Sequence, residues 1–138
     1  MKFYVYTDGA ARGNPGKSAS GYMILDEKGR KLLGRVFYNG IKTNNFAEYN
    51  AILHALETAK RAYSRRDEIA LFSDSRLVVN QINGVYRTKD ARLYSMKTKI
   101  LALARNFSSC TFTNVPREDR HIRSVDSALN IFLDNIKK

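Results

Sequence analysis

The sequence lacks the features that mark secreted, disulfide-stabilised and membrane-spanning proteins. It contains one cysteine, Cys110, which cannot form an internal disulfide bond. No apolar run approaches the roughly 20 residues of a transmembrane helix, and the first residues are not followed by the apolar core and small-residue cleavage site of a signal peptide. We therefore expect a cytoplasmic protein with no membrane partner, in which Cys110 is a buried, inert thiol within a strand.

Acidic residues are scarce relative to basic ones. The chain has 13 Asp and Glu against 24 Lys and Arg, a net charge of +11. This balance favours a polyanionic partner, with nucleic acid first and a membrane surface second, although general solubility is the alternative reason for such charge. The basic residues are spread along the chain, which favours a folded binding surface over a basic tail.

The rest of the composition is that of a globular domain. The chain has 138 residues, of which 43% are hydrophobic and 27% charged. That is enough for a single domain over residues 1–138 with a sizeable core. No repeat or low-complexity tract divides it.

Residue patterns predict an α/β fold. The short connections between the first three predicted strands indicate an antiparallel meander. An apolar strand that ends in an acid and leads at once into a helix, as around Asp74, indicates a parallel α/β arrangement. The predicted strands are 3–7, 19–25, 31–38, 68–73 and 110–115. The first predicted helix is capped by Asn44 or Asn45, and the other predicted helices span 76–82, 94–107 and 124–138.

The segment that follows the first strand combines an acid with residues that break regular structure. Asp8 lies where the strand is predicted to end, and Gly9, Gly13, Asn14, Pro15 and Gly16 follow it. One interpretation is a hairpin turn with a capping aspartate. The other is a rigid support that holds a charge at the edge of a sheet.

Four carboxylates share a suggestive placement. Asp8 and Asp74 lie at predicted strand ends, and Glu48 and Asp126 lie in the predicted first turns of helices. Each alone is ordinary, because acids favour helix starts. Collected at one edge of a sheet, however, they would repel one another unless cations neutralised them. Oxygen ligands suit Mg²⁺, and the sequence has no Cys/His cluster for zinc.

Four sequence blocks carry a family resemblance that spans nearly the whole chain. Residues 7–16 (TDGAARGNPG), 43–51 (TNNFAEYNA), 73–81 (SDSRLVVNQ) and 125–129 (VDSAL) are similar, in order and spacing, to type 1 ribonuclease H. The resemblance implies a ribonuclease H-like α/β fold, with a five-stranded mixed sheet in the order 3-2-1-4-5, strands 1–3 antiparallel, flanked by helices.

The resemblance also implies an activity and a set of functional residues. The expected reaction is endonucleolytic hydrolysis of the RNA strand of RNA/DNA hybrids by a monomer with two Mg²⁺ ions, which Mn²⁺ could replace. The expected products have 5′-phosphate and 3′-hydroxyl ends. The catalytic, metal-binding acids would be Asp8, Glu48, Asp74 and Asp126. Asp8 and Asp74 would bridge the ions, and Glu48 would orient the ribose 2′-hydroxyl, which distinguishes RNA from DNA.

Several polar residues match, or nearly match, positions of the family that contact the hybrid. Asn14, Asn44 and Asn45 are expected to bind in its minor groove, although turn or cap roles could explain them too. Arg76 replaces the glutamine more often found there, and we predict that it contacts a phosphate or a groove.

Two regions depart from the best-known members. Residues 85–94 are too short for the basic, Trp-containing protrusion, and the chain has no Trp, so it resembles the compact members of the family. A substitute basic patch, or merely a solvated surface, is formed by Arg87, Lys89, Arg92, Lys97 and Lys99.

The second departure precedes Asp126. Residues 116–118 (PRE) match the compact members, and Arg117 and Glu118 could orient the substrate or pair with each other. His121, in a predicted charged loop over 116–123, is a candidate proton shuttle or an exposed loop histidine.

Two rival functions share this fold. One is a nuclease with broader substrates, such as double-stranded RNA or RNA–DNA junctions. The other is a hybrid-binding domain without catalysis, against which the four acids argue, because a pure binder gains nothing by clustering negative charge beside phosphates.

Overall fold

The computed structural model describes residues 1–136 and contains five strands and four helices. The last two positions of the predicted final helix, Lys137 and Lys138, lie outside the described residues. The elements are β1 (Lys2–Gly13), β2 (Gly16–Leu25), β3 (Lys31–Lys42), α1 (Asn44–Ala62), β4 (Glu68–Ser73), α2 (Arg76–Ile82), α3 (Ala91–Ala104), β5 (Ser109–Asn114) and α4 (Arg120–Asn135).

The strands form one mixed sheet in the order β3-β2-β1-β4-β5. The pairs β1–β2 and β2–β3 are antiparallel, whereas β1–β4 and β4–β5 are parallel. This confirms the predicted sheet and strand order. Within residues 1–136, no helix is long and apolar enough to cross a bilayer.

The two faces of the sheet carry cores of different size. The larger core packs α1, α2 and α3 on one face, and the smaller packs α4 on the other. Strand β1 contributes side chains to both cores, because successive side chains in a strand point to opposite faces. Phe3 and Val5 face the larger core, whereas Tyr4, Tyr6 and Ala10 pack against the smaller one.

The glycine-rich segment corrects one prediction. It was expected to end regular structure after Thr7, yet β1 continues to Gly13 and pairs with β2 up to Gly16. Gly13 has φ of 95° beside the turn, a conformation that glycine adopts without strain. The segment is therefore a hairpin, and Asp8 lies within its first strand, so the strand continues past the acid instead of ending there.

Helix starts also differ from prediction. The N-cap of α1 is Thr43, whose Oγ1 accepts a hydrogen bond from Phe46 N at 3.1 Å, so Asn44 and Asn45 are helical residues. Glu48 consequently lies beyond the first turn. The third helix, α3, starts earlier than predicted, at Ala91 after its cap Asp90.

The start of α4 is the largest correction. Asp119 accepts hydrogen bonds from His121 N and Ile122 N and caps a helix that begins at Arg120. His121 therefore lies on a helix, not on a loop, and Asp126 lies in the second turn instead of the first.

Cys110 is half-buried, and burial raises the pKa of its thiol to about 12, consistent with an inert thiol.

Close contact between β1 and α1 depends on Gly9. A Cβ atom at this position would overlap the backbone of Ala47 and Glu48. Because the obstacle is helix backbone, no rotamer change can relieve it, and α1 would have to move away from the sheet.

We predict that Gly9→Ala lowers the free energy of unfolding by about 2 kcal/mol or more, measured by urea denaturation. The matched control is Gly34→Ala, because a Cβ there meets only the flexible end of the Lys31 side chain. Equal stability of the two variants would contradict the prediction.

Candidate active site

Three carboxylates from different elements converge at one edge of the sheet. Asp8 from β1, Glu48 from α1 and Asp74, directly after β4, each place one oxygen within 4.8 Å of the others. The parallel pairing of Thr7 with Ser73 sets Asp8 beside Asp74. The two acids thus meet where the parallel pairing ends, at the carboxyl end of β4, as is usual for sites in α/β sheets.

The acids open into a cavity of about 440 Å³. Asp126, from α4, lines the same cavity, although it lies outside the tight group of three. The remaining lining residues are Gly9, Ala10, Asn44, Ser75 and Arg117. Sequence reasoning missed Ser75, whose only signal is its place between Asp74 and a helix, where its Oγ accepts a hydrogen bond from Val78 N.

Glu48 carries an unusual feature for a stable fold. Its Oε1 is buried and has no hydrogen-bond partner among residues 1–136. Leaving a buried acceptor unsatisfied costs free energy, so this atom needs a ligand from outside the chain. A divalent cation fits, because the converging donors are all carboxylate oxygens, the ligands that Mg²⁺ prefers.

Burial and mutual repulsion shift the acids toward their protonated forms. Burial, followed by the charges of Asp74 and Asp126, raises the pKa of Asp8 to about 8. Burial, followed by the charge of Asp8, raises the pKa of Glu48 well above its usual range. Burial also raises the pKa of Asp74, against the opposing charge of Arg117. A bound cation would reverse these shifts, because it favours the ionised carboxylates.

Arg117 is the cation among the residues that line the cavity. Its Nε lies 4.0 Å from Asp74 Oδ2, and its side chain is 86% exposed. Such an exposed ion pair contributes little to stability. The guanidinium is therefore available to an anionic ligand, which agrees with the interpretation that Arg117 orients the substrate.

Asn14 and Asn44 connect the hairpin to α1. Asn14 Oδ1 accepts from Asn44 N at 3.0 Å, and Asn44 Oδ1 accepts from Ala11 N at 2.8 Å. Their NH₂ groups have no partner within the described chain, so both residues combine a structural role with two free donors. Of the four predicted substrate contacts, Asn44 lines the cavity, whereas Asn14, Asn45 and the exposed Arg76 do not.

His121 does not join this site. Its ring packs on Tyr6, with ring centroids 4.6 Å apart, and Tyr6 in turn stacks on Phe72 at 4.8 Å. His121 is absent from the residues that line the acidic cavity. The prediction that it shuttles protons therefore has no support in this geometry.

The sheet order, the flanking helices and the acids within β1 and directly after β4 define a ribonuclease H-like protein. A family model described as reverse transcriptase-like matches residues 6–125. Ribonuclease HI of Halobacterium salinarum is 35% identical over 134 residues, which are 97% of this chain and 65% of that protein. This chain therefore spans just under two thirds of that relative's length.

Solved structures agree with the sequence matches. The crystal structure of RNase H1 from the halophilic archaeon Halobacterium salinarum NRC-1 has a TM-score of 0.91 and 33% identity, covering 99% of this chain and 100% of that one. LC11-RNase H1 in complex with an RNA/DNA hybrid has a TM-score of 0.83 and 36% identity, covering 95% of this chain and 99% of that one. This chain belongs to the type 1 ribonuclease H family.

It is a compact member of that family. The segment 83–90 joins α2 directly to α3, and the described residues contain no additional helix between them. The basic protrusion is therefore absent, as predicted.

We predict that Asp8→Asn stabilises the metal-free protein at alkaline pH. The pKa of Asp8 is raised in the folded state, so its contribution to stability is present below the unfolded pKa of about 3.9 and is lost as pH rises through about 8. Asparagine avoids this ionisation. At pH 9 in EDTA, the variant should unfold with a free energy about 2 kcal/mol higher than the wild type.

The difference in free energy of unfolding between Asp8→Asn and the wild type should vanish near pH 4. Excess Mg²⁺ at pH 9 should reverse the sign of that difference. Glu57→Gln, on the exposed side of α1, is the control and should show neither effect. A wild type that is as stable as Asp8→Asn in EDTA at pH 9 would contradict the prediction.

Proposed function

We propose that this protein is an endonuclease that hydrolyses the RNA strand of RNA/DNA hybrids. The observation that carries the proposal is the convergence of Asp8, Glu48 and Asp74, with Asp126 in the same cavity. The hybrid-bound relative supports the substrate class, and the net charge of +11 suits a polyanion.

The proposed cofactor is Mg²⁺, with two ions in the substrate complex and Mn²⁺ as a possible substitute. The residues that would hold the ions are Asp8, Glu48, Asp74 and Asp126. Bound divalent ions at such a site lower the pKa of the attacking water and stabilise the leaving oxygen. The proposed products have 5′-phosphate and 3′-hydroxyl ends.

The side chains have separable tasks in this proposal. Asp8 and Asp74 extend from neighbouring strands of the sheet and would both hold the ions. Glu48 lines the cavity beside them and would orient the ribose 2′-hydroxyl. Arg117 is exposed and lines the cavity, where it would contact the substrate phosphate.

The amides beside the cavity extend the proposed contact to the minor groove. Asn14 and Asn44 keep their NH₂ groups as donors for base edges and 2′-oxygens. Asn45 follows Asn44 on the helix, and exposed Arg76 begins α2, where contact with a phosphate remains its proposed role.

A second groove suits the DNA strand. It has a volume of about 400 Å³ and lies where β3, α1 and α3 meet, lined in part by Pro15 and Thr43. Lys42 Nζ and Arg92 Cζ lie 5.1 and 5.6 Å from the centroid of the Phe46 ring. This cationic and aromatic surface is the proposed replacement for the missing protrusion.

Only part of the predicted basic patch contributes to this groove. Arg92 lines it, whereas Arg87, Lys89, Lys97 and Lys99 do not. Lys97 instead lies over the Tyr94 ring, 5.6 Å from its centroid, as expected for a solvated helix face.

The proposal includes a monomer in the cytoplasm. All the acids of the cavity come from one chain, so the site needs no second copy. A single free cysteine suits a reducing compartment.

Cleavage tests the proposed function directly. We predict that the wild type cuts the RNA strand of a labelled RNA/DNA hybrid with Mg²⁺ or Mn²⁺ and not with EDTA. Asp74→Asn should slow cleavage by roughly 10³-fold or more while hybrid binding survives, because only a ligand of the proposed metals is lost.

Glu57→Gln serves as the control and should cleave like the wild type, since Glu57 lies outside the cavity. Double-stranded RNA and a DNA duplex complete the assay: cutting of double-stranded RNA would show the broader nuclease. Binding of the hybrid without any metal-dependent cut would show the non-catalytic domain and reject the proposal.

We predict that loss of the positive charges in the second groove weakens binding of the hybrid and leaves the chemical step unchanged. Lys42→Glu combined with Arg92→Glu should raise KM for the hybrid by roughly tenfold, leave kcat within about twofold, and reduce the salt dependence of binding. Lys60→Glu combined with Arg61→Glu, at the far end of α1, carries the same charge change as a control. Equal KM values for the two double variants would rule out the groove.

A further inference from the structure

Helix α4 lies along one face of β1 and meets it at a series of alternate positions. At one end His121 packs on Tyr6. In the middle, Asp8 and Asp126 line the acidic cavity together. Ala10 follows in the smaller core, and at the far end the side chain of Arg12 reaches α4.

Arg12 makes three contacts with α4. Its Nη1 donates to Asp134 Oδ1 at 2.9 Å, and its Nη2 donates to Asn130 Oδ1 at 3.0 Å and to Asn130 O at 3.3 Å. Asn130 continues the connection, because its Nδ2 donates to the carbonyl oxygen of Asp126 at 3.0 Å. We call the set Arg12, Asn130 and Asp134 the hairpin clamp.

The same hairpin is also tied to the other helix of the site. Ala11 N donates to Asn44 Oδ1, and Asn14 Oδ1 accepts from Asn44 N. The hairpin therefore holds both α1, which carries Glu48, and α4, which carries Asp126. Both helices are fixed to one short segment of β1 and its turn.

Repulsion between acids gives such a connection a role. Asp8 and Asp126 line one cavity, and when both are ionised without a cation their like charges oppose the approach of α4 to the sheet. The core beneath α4 is the smaller of the two. A guanidinium with several aligned hydrogen bonds holds a direction as well as a distance.

We infer that Arg12 is a positioning residue: through the hairpin clamp, it holds Asp126 beside Asp8 so that the pair is ready to bind a divalent cation. The inference rests on the proposed function only in taking Asp126 as a metal ligand. Arg12 itself is absent from the residues that line the acidic cavity.

The test compares Arg12→Met with Lys17→Met. Lys17 is the cross-strand partner of Arg12 in the same hairpin, so both variants remove one positive charge near the acids. Only the first removes the clamp. Binding of Mg²⁺ and Mn²⁺ to the metal-free protein is measured by calorimetry, and the Mg²⁺ dependence of hybrid cleavage is measured in parallel.

We expect Arg12→Met to weaken metal binding and to raise the half-saturating Mg²⁺ concentration by roughly threefold to tenfold, with kcat at saturating Mg²⁺ within about twofold of wild type. For Lys17→Met, the metal affinity and the half-saturating Mg²⁺ concentration should both stay within about twofold of wild type. Asp134→Asn should resemble Arg12→Met. The exchange of Arg12→Asp with Asp134→Arg should recover part of the metal affinity, because the ion pair is restored in the reverse sense.

Equal metal binding by Arg12→Met and Lys17→Met would overturn the inference, even if Arg12→Met were less stable to heat. That result would leave the nuclease proposal intact. Conversely, a wild type that binds metal but never cuts the hybrid would reject the nuclease, while the binding data would still decide the role of Arg12.

Discussion

The mutual repulsion of buried carboxylates is the constraint on which this structure depends. Asp8, Glu48 and Asp74 lie close enough to share a ligand, and their pKa values are raised because burial and neighbouring charge oppose ionisation. Such an arrangement is unfavourable in the empty protein. The arrangement persists because strand pairing and the two cores hold the backbone of the residues that carry the acids.

Those interactions differ on the two faces of the sheet. Parallel pairing of β1 with β4 fixes Asp8 against Asp74, and the absence of a side chain at Gly9 lets α1 approach with Glu48. Both depend on the larger core. Asp126 depends on the smaller core under α4, where polar contacts from the hairpin supplement the apolar packing. The site is thus supported by the larger core on one side, and by the smaller core together with a few polar contacts on the other.

Much of the fold could be predicted because its signals are local. β-branched and aromatic residues indicated β1, and apolar residues at helical spacing indicated α1. Errors arose where two local signals competed. Thr43 precedes two asparagines that are also good caps, and Asp119 lies in a charged segment that is typical of a loop. The continuation of β1 through its glycines could not be predicted locally, since pairing with β2 sustains it.

The sequence by itself determined the family, because four motifs resemble it in order and spacing, and that resemblance then implied the strand order and the acids that belong together. Only the tertiary structure decided how these residues meet. It placed Glu48 Oε1 in a buried position without a partner among residues 1–136, packed the His121 ring on Tyr6, and brought Arg12 to α4 across more than a hundred residues of chain. Such contacts join residues far apart in the chain, and their geometry depends on packing that no local pattern contains.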